Sequence, residues 1–196
     1  VAHPRGEHDE DALRRGPADV GRRLAYASAL TSHGLMGIWT GHAEASEAEL
    51  QESIALLRKM PDGRNMLSSA VGGLAWYRFA NAEIAEAKTL FLEAAELNQA
   101  SEKPELQAWN YCMLGASARK QSAFDECQQW YQKALTLGRA IGDQRTIAHA
   151  LTNLGQLALW QGEYVAARHY LEEGLATAQA HDIHAFAGEA LGALGD

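Results

Sequence analysis

The sequence repeats itself at a step of 40 residues, and that step limits the folds open to it. Leu74, Leu114, Leu154 and Leu194 fall 40 apart, and Gly115, Gly155 and Gly195 follow the last three. The same step links Ile84, Phe124 and Tyr164, then Ala87, Cys127 and Ala167, then Phe91, Tyr131 and Leu171. A fixed period in this range marks a solenoid, in which each repeat is one supersecondary unit stacked on its neighbours.

Within each repeat the apolar residues recur at three and four, the helical spacing, and no segment alternates like a half-buried strand. The expected fold class is therefore all-α. Short turns inside each repeat make neighbouring helices antiparallel. The pattern predicts helix pairs over about 18–60, 64–98, 104–139 and 144–180, and a partial repeat over 184–196. Residues 1–16 are polar and read as a flexible tail. Pro17 and Pro104 suit helix starts, Asp143 suits an N-cap, and Ser46 with Glu49 forms an S-x-x-E capping box. The first pair is out of step: Leu50, Ile54 and Leu57 align with Ala87, Phe91 and Ala94 at a step of 37.

Composition narrows the function classes. The net charge is −8 and no dense Lys/Arg cluster occurs, with Arg14, Arg15, Arg22 and Arg23 the nearest to one. That argues against direct nucleic-acid binding, which needs clustered cations to meet phosphates. No apolar run approaches the roughly 18 residues of a membrane span, and none resembles a signal peptide, so no membrane association is expected. Two cysteines, Cys112 and Cys127, make no disulfide framework, and a reduced, cytoplasmic setting is expected. The chain begins at Val1 rather than Met, as a part excised from a longer protein would.

The repeats resemble the tetratricopeptide family. Leu151, Leu154, Gly155, Ala158, Gly162-Glu163-Tyr164, Ala167 and Leu171 carry the likeness best. Tyr111, Leu114, Gly115, Ala118, Phe124, Cys127, Tyr131 and Ala134 repeat it; Leu74, Ile84, Ala87, Phe91 and Ala94 do so with Ala75 in place of the glycine. The family keeps small residues at Gly155 and Ala167 because two helices cross closely there. The resemblance implies a right-handed α-solenoid of antiparallel helix pairs, a tetratricopeptide-like superhelix. The long period and Gly142-Asp143 between repeats are similar to two subgroups, the sensor arrays of bacterial signal-transduction ATPases and LuxR- or MalT-type activators, and the Pins/LGN type of scaffold protein; the stretch around Thr146–Ala178 resembles the bacterial activators most.

Family arrays bind ligands in a groove lined by the first helix of each pair. Carried onto this sequence, the inner positions are Trp76, Phe79, Trp109, Cys112, Arg119, His149, Thr152 and Gln156, and the implied partner is a protein, a peptide or a small effector. The set lacks the Lys and Asn that clamp a C-terminal carboxylate in co-chaperone relatives. No catalytic residue, metal site or cofactor is expected: G-x-S-x-G, P-loop, Rossmann and H-E-x-x-H patterns are absent. His181-Asp182-Ile183-His184 falls between repeats and reads as a polar loop that caps a helix. The expected function is a non-catalytic binding module of a larger bacterial signalling or transcription regulator; the alternative is a free-standing scaffold that assembles protein partners. Leu191, Leu194 and Gly195 reproduce Leu151, Leu154 and Gly155, so the last helix reads as half a repeat. Its Ala187, Ala190, Leu191 and Leu194 are expected to stay partly exposed and to favour a homo-oligomer.

Overall fold

The chain was analysed as a computed structural model that describes residues 17–40 and 43–195. The tail expected over 1–16 lies outside the described residues. Helices run as α1 Pro17–Thr40, α2 Ala43–Leu57, α3 Arg64–Ala80, α4 Ile84–Ala100, α5 Pro104–Lys120, α6 Phe124–Ile141, α7 Gln144–Trp160, α8 Tyr164–Ala180 and α9 His184–Gly195. A single 3-10 turn, Pro61–Gly63, leads into α3. No strand occurs among the described residues. The all-α expectation holds, and most boundaries agree with the sequence reading to within two residues.

Two compact units divide the chain, one ending at Gly73 and the other starting at Leu74, inside α3. In the first unit, α1 and α2 form an antiparallel pair. Its tightest contact is Gly34 on α1, where an added Cβ would stand 2.8 Å from Leu50 Cγ on α2. Beside it, the Thr31 hydroxyl donates to Ala27 O (3.0 Å), Ser53 Oγ donates to the same carbonyl (2.8 Å), and the two hydroxyls are 2.8 Å apart. The capping-box reading fails here. α2 begins at Ala43, so Ser46 sits inside the helix and is buried, and Glu49 meets His33 on α1 instead.

The second unit stacks α4 to α9 on the last part of α3. Each second helix places a small residue, Ala87, Cys127 or Ala167, at a fully buried crossing. A bulky residue four positions on closes it. At Gly115 an added Cβ would stand 2.8 Å from the Tyr131 ring, and at Gly155 2.5 Å from Leu171 Cγ. Only a residue without a side chain lets these helices approach so closely, which offsets glycine's cost of about 1 kcal/mol inside a helix. The core of this unit follows the crossings: Leu114, Tyr131, Leu135, Leu151, Leu154 and Leu157 are all buried.

The turns recur at 20 residues, half the repeat. Ala82, Glu102, Ser122, Gly142, Gly162 and Asp182 all take positive φ, one per turn of the second unit. Glycine adopts this geometry freely, and other residues adopt it at a cost. Asp182 therefore serves turn geometry. Asp143 caps α7 as expected, accepting from the backbone N–H of Arg145 (3.2 Å) and of Thr146 (3.4 Å). On α9, Phe186 and Ala190 are buried against the stack, whereas Leu191 and Leu194 are exposed. The expected exposure of Ala190 is corrected, because this residue faces inward.

A candidate binding face on the first helices

The first helices of the second unit, α5, α7 and α9, bring aromatic and basic side chains together. Trp109 lies on α5, half-buried. In the first turn of α7, the guanidinium of Arg145 lies over its ring, 4.5 Å from the centroid. A further turn along, the His149 ring packs on Trp109 (5.3 Å, 30° between planes) and stacks on Phe186 of α9 (4.7 Å, 20°). The edge of Tyr131 from α6 closes a third side at 6.0 Å. The imidazole is thus held among three aromatic rings.

That enclosure sets its chemistry. Burial, then the charges of Arg145 and Arg119, push the His149 pKa down to about 4. Its Nδ1 is buried without a hydrogen-bond partner. A histidine in apolar surroundings stays neutral because the charged form would lose its hydration. At neutral pH His149 therefore acts as an aromatic spacer between α5 and α9.

A second cation ends α5. Arg119 sits 5.9 Å from the ring of Trp160, which is 58% exposed and in turn meets Phe124 at 6.2 Å. Its Nε is buried and unpartnered. Neither Arg119 nor Arg145 has a carboxylate partner among the described residues. Arg145 also occupies the first turn of α7, which holds no acidic residue. A cation there opposes the helix dipole, so its position is explained by Trp109 rather than by helix stability.

Of the residues expected from sequence, Trp109, Arg119 and His149 come to this face. Gln156 is half-buried on α7. Trp76 and Phe79 stack on each other at 5.9 Å, and Phe79 meets Phe91 edge-on at 6.5 Å; both pack on the core around Leu114. Cys112 and Thr152 are corrected. Both are fully buried and offer no surface to a ligand. Cys112 joins a cluster with Cys127 and Tyr131. The Thr152 hydroxyl faces α8, 3.2 Å from where a Cβ on Gly174 would stand. Burial raises the Cys112 thiol far above its ordinary range and Cys127 to about 11, so both stay protonated at neutral pH. The sequence reading missed Arg145 and Phe186. An arginine in the first turn of a helix was the available signal for one. Phe186 aligns with Thr146 and gave none.

A separate open cavity of about 940 Å³ runs along α6, lined by Gln107, Tyr111, Gln128, Gln129, Gln132 and Lys133 among others. It shares no residue with the aromatic face. No group of three His, Cys, Asp or Glu side chains suited to a metal occurs among the described residues. No described helix is long and apolar enough to cross a membrane.

Paired antiparallel helices, closed at a small residue and repeated every 40, define a tetratricopeptide-like helical repeat. Residues 104–180 match the tetratricopeptide repeat family. No curated protein matches the sequence. Solved structures share the fold. Aspartyl phosphate phosphatase F from Bacillus subtilis superposes with a TM-score of 0.80 at 14% identity, over 86% of this chain and 44% of that one. A signal transduction ATPase with numerous domains and a tetratricopeptide repeat sensor, from Pyrococcus horikoshii, gives 0.78 at 16% identity, over 87% and 26%. A Rap protein complexed with competence and sporulation factor gives 0.75 at 14%, over 93% and 50%. The chain thus spans half or less of each of these proteins.

Proposed function

We propose that this chain is a non-catalytic binding module that holds a protein or peptide segment on the face formed by α5, α7 and α9, within a larger bacterial signalling or transcription regulator. The observation that carries the reading is a pair of guanidiniums that have no carboxylate partner among the described residues. Arg145 and Arg119 each rest against an indole, Trp109 or Trp160, without a carboxylate to neutralise them. In a chain of net charge −8, such cations attract acidic groups selectively. Arginine and tryptophan side by side, partly desolvated, are the residue types that dominate binding energy at interfaces. The favoured partner segment pairs acidic side chains with apolar ones. The absence of catalysis fits the neutral, enclosed His149 and the protonated thiols. Membership of a regulator is supported by the fold shared with a sensor-bearing ATPase and with a Rap protein held in a complex.

The test is selection of random 12-residue peptides displayed on phage against the purified chain, repeated with Arg119→Ala and Arg145→Ala. Recovered peptides should be rich in Asp, Glu and aromatic residues and should quench tryptophan fluorescence. Each arginine variant should weaken them about tenfold or more, and raised salt should weaken them further. Peptides that bind both variants as well as the parent would remove the assignment of this face.

A further inference from the structure

Each complete helix pair closes on one bulky, buried residue of its second helix: Leu50, Phe91, Tyr131 or Leu171. An apolar side chain is all that closure needs, as the leucines and the phenylalanine show. Tyr131 alone of the four adds a hydroxyl. Its ring packs on Gly115, where an added Cβ would stand 2.8 Å from it, and none of the side chain is exposed. The hydroxyl has no hydrogen-bond partner. A buried polar atom without a bond carries a desolvation cost, so packing does not account for it.

A second apolar position is exchanged in the same region. Arg119 stands where the neighbouring repeats have Phe79 and Leu159. Its Nε is buried and unpartnered too, and Nδ1 of His149 is a third such atom. The three groups meet. The edge of Tyr131 closes on the His149 ring at 6.0 Å, and the Arg119 charge lies near enough to act on both the Tyr131 hydroxyl and the imidazole. Helices α5, α6 and α7 thus each send one unsatisfied polar atom into one seam. The donor set defines what fits there. Arg119 Nε–H only donates and is always charged. Burial holds the Tyr131 hydroxyl protonated, so it donates as well. His149 is neutral and can carry its proton on Nδ1. A neutral oxygen would meet these bonds and leave the charge unanswered; an oxygen bearing negative charge meets both.

We propose that the seam between α5, α6 and α7 is a carboxylate-binding site, entered by an acidic side chain of the segment held on the α5, α7 and α9 face. The carboxylate accepts from Arg119 Nε–H, the Tyr131 hydroxyl and His149 Nδ1–H. The proposal rests on the binding reading above and names its deepest contact. The Tyr131 hydroxyl is fully buried, whereas Trp109 is half-buried and Trp160 mostly exposed. Glutamate, one methylene longer than aspartate, suits that depth better.

The probes are sodium propionate, which ends as a glutamate side chain does, sodium acetate for aspartate, and propionamide as the uncharged control. Each is titrated into the whole chain, isotopically labelled at its arginine nitrogens, with sodium chloride replaced at fixed ionic strength. The readout is the nuclear magnetic resonance signal of Arg119 Nε–H, assigned by its loss in Arg119→Lys. Propionate should move this signal saturably, acetate should bind more weakly, and propionamide should leave it in place. Tyr131→Phe should weaken propionate about tenfold or more. The phenylalanine ring still closes on Gly115, so without propionate that variant should melt at or above the parent temperature. A signal unmoved by propionate would overturn the proposal. So would a Tyr131→Phe variant that melts lower yet answers propionate as the parent does. Selected peptides that still depend on Arg119 and Arg145 while propionate fails would remove this site and leave the binding face standing. Propionate binding with no recoverable peptide would do the reverse.

Discussion

The pairs α1–α2 and α7–α8 lie in different units, yet they close on equivalent residues. Gly34 meets Leu50, and Gly155 meets Leu171, sixteen positions apart in each case. Shifting the first pair by 121 residues also superposes Ala27 on Ala148, Thr31 on Thr152, Ser46 on Ala167 and Ser53 on Gly174. The difference lies in what surrounds the crossing. The first pair lines it with two hydroxyls that share the Ala27 carbonyl, and the second lines it with alanine, glycine and one threonine hydroxyl, Thr152, that has no partner. The contact of a small residue with a large one therefore sets the geometry, and it tolerates polar neighbours when their bonds are complete.

The largest effects should come from removing the bulky partner. Leu50→Ala and Leu171→Ala each leave a cavity in a fully packed crossing and should cost about 2–5 kcal/mol. Hydrogen exchange reads each pair separately, and urea unfolding gives the magnitudes. A mild effect at Leu50 beside a severe one at Leu171 would break the equivalence.

Filling the small position should come next. Ser46→Leu and Ala167→Leu add bulk where the helices touch and should each cost about 1–3 kcal/mol. Thermal melting checks this. An unmoved midpoint for Ser46→Leu would return the first pair to the register in which Leu50, not Ser46, matches Ala87.

That register is the main place where the sequence misled. From α4 onward the 40-residue step, Pro104, Asp143 and the Gly155–Ala167 crossing were all readable, because apolar spacing and backbone geometry agree there. In the first pair the small positions are serines, which look like surface residues until Thr31 and Ser53 are seen to satisfy each other. Apolar matching therefore slid Leu50 onto Ala87 when its counterpart is Phe91. The proposed face was only partly legible. Spacing brought Trp109, Arg119 and His149 onto first helices, but burial of Cys112 and Thr152 depends on small rotations about α5 and α7 that spacing does not resolve. The Arg145–Trp109 contact joins residues from successive repeats, and no pattern within one repeat announces it.

The two pairs should also differ in acid. His149 occupies the position that Ser28 holds in the first pair. Its pKa in the fold is about 4, below the value near 6.5 of an unfolded chain. A lowered pKa means that the unfolded state takes up the proton first. The contribution of His149 is therefore present above pH 6.5 and is lost as pH falls towards 4. Between pH 7 and pH 5 the second unit should lose about 1–2 kcal/mol from this group. His149→Phe should flatten that slope, and the first unit should show no matching change in either protein. An unaltered slope in His149→Phe would assign the acid response to other groups.

The smallest effect should be the most discriminating, because it contrasts one threonine with its equivalent. Thr31 Oγ1 has two partners, Ala27 O and Ser53 Oγ, and Ser53 Oγ reaches Ala27 O as well. Thr152 Oγ1 is equally buried and has none, since Gly174 stands where Ser53 would supply a hydroxyl. A buried hydroxyl with its bonds made contributes about 1 kcal/mol, and one left unmade carries a desolvation cost instead. Threonine and valine have nearly the same shape. Thr31→Val should therefore destabilise the first pair by about 1 kcal/mol or somewhat more, because Ser53 also loses its neighbour. Thr152→Val should be neutral or stabilise the second pair. The double replacement Thr31→Val with Ser53→Ala should cost less than the sum of the two single changes, since neither hydroxyl is then left alone. Chemical denaturation of the four variants measures this. Equal losses at Thr31 and Thr152 would mean that the hydroxyl network contributes nothing particular to the first pair, and that packing alone holds both.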